Sequence, residues 1–208
     1  MRAVYFLSLL VLLAACNGSD KLPVYGNKTA VTKTENGKTV TDSVDYVIPP
    51  FSFVNQDSAV VTEQTIAGKI FVTDFFFTSC PSICPKMKKE MLRVYDKYKD
   101  NNEVAILSFS IDPKRDTVGK LKTYTQKLGI ENSSKWNFLT GDKDSIYTLA
   151  KSFLVSAAED PNAPGGHVHS GNFILVDKQR RLRGYYDGTK GESVDKLLKD
   201  MDLLLKEK

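Results

Sequence analysis

The chain has 208 residues, 41% of them apolar and 10% aromatic, which is enough for one hydrophobic core and too much for a chain disordered throughout. Its 29 Lys and Arg against 25 Asp and Glu leave a formal charge of +4. The Lys residues spread along predicted helices instead of gathering in a block, so the charge gives no reading of nucleic-acid binding, and no internal repeat is present.

Arg2 precedes an apolar stretch, residues 3–13 (AVYFLSLLVLL), too short to span a bilayer as a stable helix and of the length of an export signal. Leu13-Ala14-Ala15-Cys16 follows. Small residues directly before a Cys resemble the lipobox of bacterial lipoproteins, and that resemblance implies removal of residues 1–15 and acylation of Cys16. A place on the extracytoplasmic side of a bacterial membrane follows, with inner and outer membrane both open, since Asn17 is not the Asp that commonly retains lipoproteins in the inner one. Residues 16–45 are rich in Thr, Lys, Asn, Gly and Ser, so a flexible tether is expected there, spanning roughly 30 Å root-mean-square. The folded unit is expected over residues 46–208.

Val47 to Val61 flank the turn-like Asn55-Gln56-Asp57-Ser58 and predict a strand or hairpin at one edge of the fold. Lys69 to Phe77 is nearly continuous in β-favouring apolar residues, the pattern of a strand buried on both faces, and it runs straight into Thr78-Ser79-Cys80. After Pro85, apolar Met87, Met91, Val94, Tyr95 and Tyr98 alternate with Lys86, Lys88, Lys89, Arg93 and Lys97 at helical spacing. That Lys-rich face reads as solvated, with steering of an acidic partner as the other reading. A second buried strand is expected over Val104–Ile111, and helices over 117–128 and 142–153. Then come a strand over 171–177, its partner over 181–186, and a last helix from Glu192 to about Lys206. Alternating strands and helices favour a mixed α/β sheet.

Cys80-Pro81-Ser82-Ile83-Cys84 falls where a buried strand gives way to a helix, a place where unpaired amides and the helix dipole stabilise a thiolate. With Cys16 assigned to the anchor, this pair is the whole thiol inventory of an exported fold. The two sulfurs can converge on a metal or close a disulfide. The two His residues, His167 and His169, lie in the loop Gly165-Gly166-His167-Val168-His169-Ser170. Two thiolates and an imidazole suit Cu(I) and can hold Cu(II), whereas a structural Zn²⁺ usually takes four protein ligands. Asp74 interrupts the apolar strand six residues before Cys80, and reads equally as a carboxylate paired with a Lys or as a proton-handling group. Asp112 and Asp116 read as turn and N-cap residues.

Four blocks in order, 74–87 (DFFFTSCPSICPKM), 110–117 (SIDPKRDT), 136–141 (WNFLTG) and His169-Ser170 before the strand ending Leu175-Val176-Asp177, resemble the Sco (SenC) family of copper-delivery proteins. The resemblance covers roughly residues 51–205. It implies a thioredoxin-like fold, here with an N-terminal β extension and an inserted helix. It also implies one copper ion held by Cys80, Cys84 and His169, delivery to a copper-containing cytochrome c oxidase subunit during assembly, and a monomer. Family members often carry an acid immediately before the ligand His; Val168 stands there in this chain, and His167 is an auxiliary candidate. The competing expectation is a thiol-disulfide reductase with Cys80 as nucleophile and Cys84 as resolving thiol. Against it, thioredoxin-type reductases place a cis-Pro at the start of the strand facing the active site, whereas Pro164 lies too far upstream here.

Overall fold

A computed structural model describes residues 21–35, 38–130 and 133–207; Cys16 and the export signal lie outside the described residues. In chain order the first elements are β1 (Thr29–Glu35), β2 (Lys38–Val44), β3 (Ser52–Asn55), β4 (Val60–Thr62), β5 (Ile70–Phe76), α1 (Cys84–Tyr98), β6 (Val104–Ser110) and α2 (Val118–Lys127). They are followed by β7 (Trp136–Thr140), α3 (Lys143–Ser152), β8 (Ala157–Glu159), β9 (His167–His169), β10 (Asn172–Val176), β11 (Leu182–Asp187) and α4 (Gly191–Lys206).

Every residue of β5 and of β6 is buried, as their unbroken apolar runs require, and the two strands pair in parallel from Ile70↔Val104 to Phe76↔Ser110. They form the middle of a seven-stranded mixed sheet in the order β11-β10-β5-β6-β7-β3-β4. β7 also runs parallel to β6, while β10 and β11 on one side and β3 and β4 on the other are antiparallel additions. This is the expected thioredoxin-like α/β class with its N-terminal β extension at one edge. β7 was not foreseen as a strand: it is only five residues long and includes Asn137, which pairs with Asn55 of β3 instead of with solvent.

The pleat of β5 divides the core. Phe71 and Phe75 pack against Phe153 at the end of α3, with Phe109 beside Phe75, whereas Asp74 and Phe76 face α1 and α2. Helix α1 starts with Pro85 in its first turn and buries Cys84, Met87, Met91, Val94, Tyr95 and Tyr98, the face set by its periodicity. Lys88, expected among the solvated Lys residues, is buried with them. Its Nζ lies 2.6 Å from Asp74 Oδ2, donates to Ser108 Oγ at 3.1 Å and sits 4.2 Å from the Phe76 ring centre. Ser108 in turn donates to Asp74 and accepts from Trp136 Nε1.

Within residues 16–45, where a tether is expected, the described residues include two strands. β1 and β2 form a hairpin in which every residue of β2 is exposed. The sequence signal is β-branched Thr and Val on both sides of Asn36-Gly37, a dipeptide that favours tight hairpins, hidden by a polar composition. Residues 22–25 lie against β11, where Tyr25 makes an antiparallel bridge to Leu182.

Lys88→Met should leave the Asp74 carboxylate buried without its counter-charge and lower the unfolding free energy by about 3–5 kcal/mol in urea titrations. The double variant Asp74→Leu/Lys88→Met should recover much of the loss, and equal losses would show that packing of the Lys stem carries the effect.

Candidate metal centre

β5 ends in the core and hands the chain to a turn over residues 77–83 before α1 begins at Cys84. The turn is held by Asp116. Its Oδ2 accepts from the Thr78 amide at 2.9 Å and the Ser110 hydroxyl at 2.6 Å, and its Oδ1 accepts from the Thr78 hydroxyl. Thr117, not Asp116, caps α2. Asp116 is therefore fully buried work for the Cys-bearing turn, a role that no local sequence signal announces.

Cys80 and Cys84 are both free thiols, 9% and 2% exposed. Their environments differ. Burial pushes the Cys80 thiol up, but hydrogen bonds from Cys84, from the amides of Ser82 and Cys84 and from the Ser82 hydroxyl outweigh it and leave Cys80 below the ordinary thiol range. Burial, reinforced by the hydrogen bond given to Cys80, pushes Cys84 well above that range. Cys80 is the thiolate-forming member of the pair and Cys84 the proton-holding one.

β9 brings in the imidazole. The chain reaches it through Gly165, at φ +81°, whose carbonyl accepts from Arg115 Nη2 at 2.9 Å. A Cβ at Gly165 would come within 2.6 Å of the Phe77 ring, so only glycine allows this close approach. His169 Nε2 then lies 3.2 Å from Cys84 Sγ, and Nδ1 lies 3.0 Å from the Ser170 carbonyl. A carbonyl oxygen only accepts, so Nδ1 carries the hydrogen and Nε2 turns its lone pair to the sulfur. Burial holds His169 below the ordinary imidazole range, which keeps the ring in this neutral form.

The donor atoms of Cys80, Cys84 and His169 all lie within 4.8 Å of one another. Cys80 and His169 open on a cleft of about 170 Å³ lined also by Phe77, Ser82, Ile83, Pro164, His167 and Val168, with Cys84 buried behind it. Two soft sulfurs and a neutral imidazole nitrogen make a donor set suited to Cu(I). His167 shares a face of β9 with His169 but is not drawn to the sulfurs. Its Nε2 lies 3.6 Å from Asp112 Oδ2 and its Nδ1 3.4 Å from the Tyr147 hydroxyl, with Phe77 between the two imidazoles at centroid distances of 5.1 and 5.9 Å. Asp74 lies in the ion pair beneath α1, away from this donor set.

Comparison with known proteins adds an independent line. A family model described as SCO1/SenC matches residues 39–206. Among solved structures, a SCO1/SenC family lipoprotein from Bacillus anthracis str. Ames is 30% identical, with a TM-score of 0.70 and coverage of 77% of this chain and 96% of that one. BsSco, described with a disulfide switch and as a member of the Sco family of cytochrome c oxidase assembly proteins, is 30% identical with a TM-score of 0.68, over 78% and 95% of the two chains. Arabidopsis thaliana ScoI, solved with copper bound, is 27% identical with a TM-score of 0.62, over 76% and 99%.

Two outcomes follow from the geometry. In the reduced protein, iodoacetamide should modify Cys80 first, with a pH–rate midpoint below the ~8.5 of a free thiol, while Cys84 stays slow; peptide mapping that found Cys84 modified first would reverse the assignment. Asp116→Ala should leave the Thr78 amide and two hydroxyls without their acceptor, lower stability by about 1–3 kcal/mol, and flatten the difference in alkylation rate between the two thiols.

Proposed function

The chain belongs to the SCO1/SenC family, and from that premise we propose that it binds one copper ion through Cys80, Cys84 and His169 and delivers it to the copper centre of a cytochrome c oxidase subunit during assembly. The observation that carries the reading is the convergence of two thiols and a lone-pair nitrogen within 4.8 Å. The imidazole tautomer is already set by Ser170, so the donor set is prearranged for a soft ion. The copper-bound state of Arabidopsis thaliana ScoI and the oxidase-assembly description of BsSco support the cargo and the client class.

In this reading the unequal thiols divide the work. Cys80, with its lowered pKa, supplies a thiolate for capture, and Cys84 gives up its proton as the cargo is taken, since thiolates and not thiols are the ligands. Three protein ligands leave room for a donor of the acceptor protein to enter from the cleft, so transfer proceeds by exchange of ligands. Cys16 would hold the domain, as a monomer, on the extracytoplasmic side of a bacterial membrane, in keeping with the description of the Bacillus anthracis relative as a lipoprotein.

One observation favours a second reading. A low-pKa thiol paired with a proton-holding one is also the arrangement of a thiol-disulfide oxidoreductase, with Cys80 attacking and Cys84 resolving. His169 is what this reading does not need.

Titration of the reduced soluble domain with Cu(I) under a competing chelator should give one tight equivalent. His169→Ala should weaken it at least ~10-fold to 100-fold, the range over which even outer-shell partners of a metal act, while His167→Ala should leave it nearly unchanged. Tight binding that survives loss of His169 would overturn the ligand set. No binding at all would leave the oxidoreductase reading in possession of the site.

A further inference from the structure

The segment ahead of the β1–β2 hairpin is built into the fold at a definite place. Arg183 is 3% exposed. It donates through Nη2 to the Leu22 carbonyl at 2.7 Å and through Nε to the Pro23 carbonyl at 3.0 Å, while its own charge is met by Asp177 and Glu207. The Leu22 amide donates to Glu207, the Tyr25 amide to the Leu182 carbonyl at 2.9 Å, and the Tyr25 ring meets Tyr185 edge to face at 5.3 Å. Gly26, at φ +103°, lies so close to Tyr46 that a Cβ would come within 2.6 Å of its side chain.

Strand registers show which end of the molecule this is. Leu182 pairs with Val176, and Val176 pairs with Phe71 near the start of β5, whereas the cysteines follow the far end of β5 and His169 precedes Asn172 at the far end of β10. At ~3.3 Å per residue the length of β5 alone separates the two ends by about 20 Å. The chain also returns from the hairpin at the same end, where the Ile48 amide donates to the Arg180 carbonyl.

We propose that residues 22–26 are a strap that ties the membrane anchor to the pole of the domain opposite the Cys80–Cys84–His169 cleft, so that the cleft faces away from the bilayer carrying the anchor. This rests on the lipid-anchor reading of Cys16. Six residue steps separate Cys16 from Leu22, a reach of at most about 20 Å, in place of the longer free tether that composition alone suggests. A domain of this size is about 40 Å across. The partner that fits such a carrier is a membrane-bound acceptor whose receiving site stands several tens of ångströms above the same bilayer. A site lying at the headgroups would be out of reach without release of the strap.

The test uses the full acylated chain on phosphatidylcholine vesicles containing a headgroup-quencher lipid. A fluorescent amino acid is introduced genetically at Gln179, in the strap-end turn, or at Lys190, next to the cleft-end loop. Quenching at position 179 should exceed that at 190 by about twofold or more. Replacing residues 22–26 with Gly and Ser, which removes the Leu22 and Tyr25 side chains that pack the segment onto the domain and loosens its backbone, should bring the two positions to within experimental error of each other. Equal quenching in the unaltered chain, or a difference that survives the replacement, overturns the strap. A full chain that fails to float with the vesicles, or a Cys16→Ser variant that floats equally well, overturns the anchor reading and this proposal with it.

Discussion

The ion pair between Lys88 and Asp74 holds the rest of the site in place. Lys88 follows Cys84 by one helical turn and lies on the same face of α1, so pinning its ammonium to a carboxylate in the middle of β5 fixes both the rotation of α1 and its height over the sheet. Ser108 of β6 and Trp136 of β7 complete the network, which joins three parallel strands to one helix. A buried pair of this kind adds little net stability over an apolar substitute, but it penalises every other placement of α1 by leaving two charges unpaired. Cys84, as the first residue of that helix, inherits the placement.

The asymmetry of the two thiols rests on that placement and on the turn that precedes it. Cys84 lies on the buried side of the helix start, where removal from water favours the neutral thiol. Cys80 lies four residues earlier, in the turn that Asp116 clamps, where amide and thiol hydrogen bonds converge on its sulfur. The imidazole arrives from the other side of the chain. Its approach depends on a bare Gly165 packed on Phe77, and its tautomer depends on a neighbouring carbonyl. The two sulfurs and the nitrogen donor thus come from a clamped turn, the helix start that follows it and a strand distant in sequence, each fixed by a different contact.

What could be read from the sequence alone divides along physical lines. Long segments with strong periodicity, such as Ile70–Phe76, Val104–Ser110 and Cys84–Tyr98, announce themselves because burial of one face or both leaves a repeating pattern. The Cys pair and the His loop stand out because few other residues could carry that chemistry. Hidden were the features that depend on a distant partner. Lys88 looks like any solvated lysine until Asp74 is seen beneath it, Asp116 looks like a helix cap until Thr78 is seen above it, and β7 is too short to show its strand period. Which of the two His residues turns to the sulfurs is a matter of loop path, settled by contacts of Phe77, Asp112 and Tyr147 that lie far away in sequence.

The same lesson applies to the polar N-terminal stretch, with a consequence for the domain as a whole. A composition poor in large apolar groups cannot build a core of its own, yet it needs only a few anchoring contacts to be captured by an existing one. Leu22 and Tyr25 supply the apolar contacts, and Arg183 supplies the N–H donors that the carbonyls of an added edge segment require. A free tether would present the cleft at all angles and heights. A captured one exchanges reach for orientation.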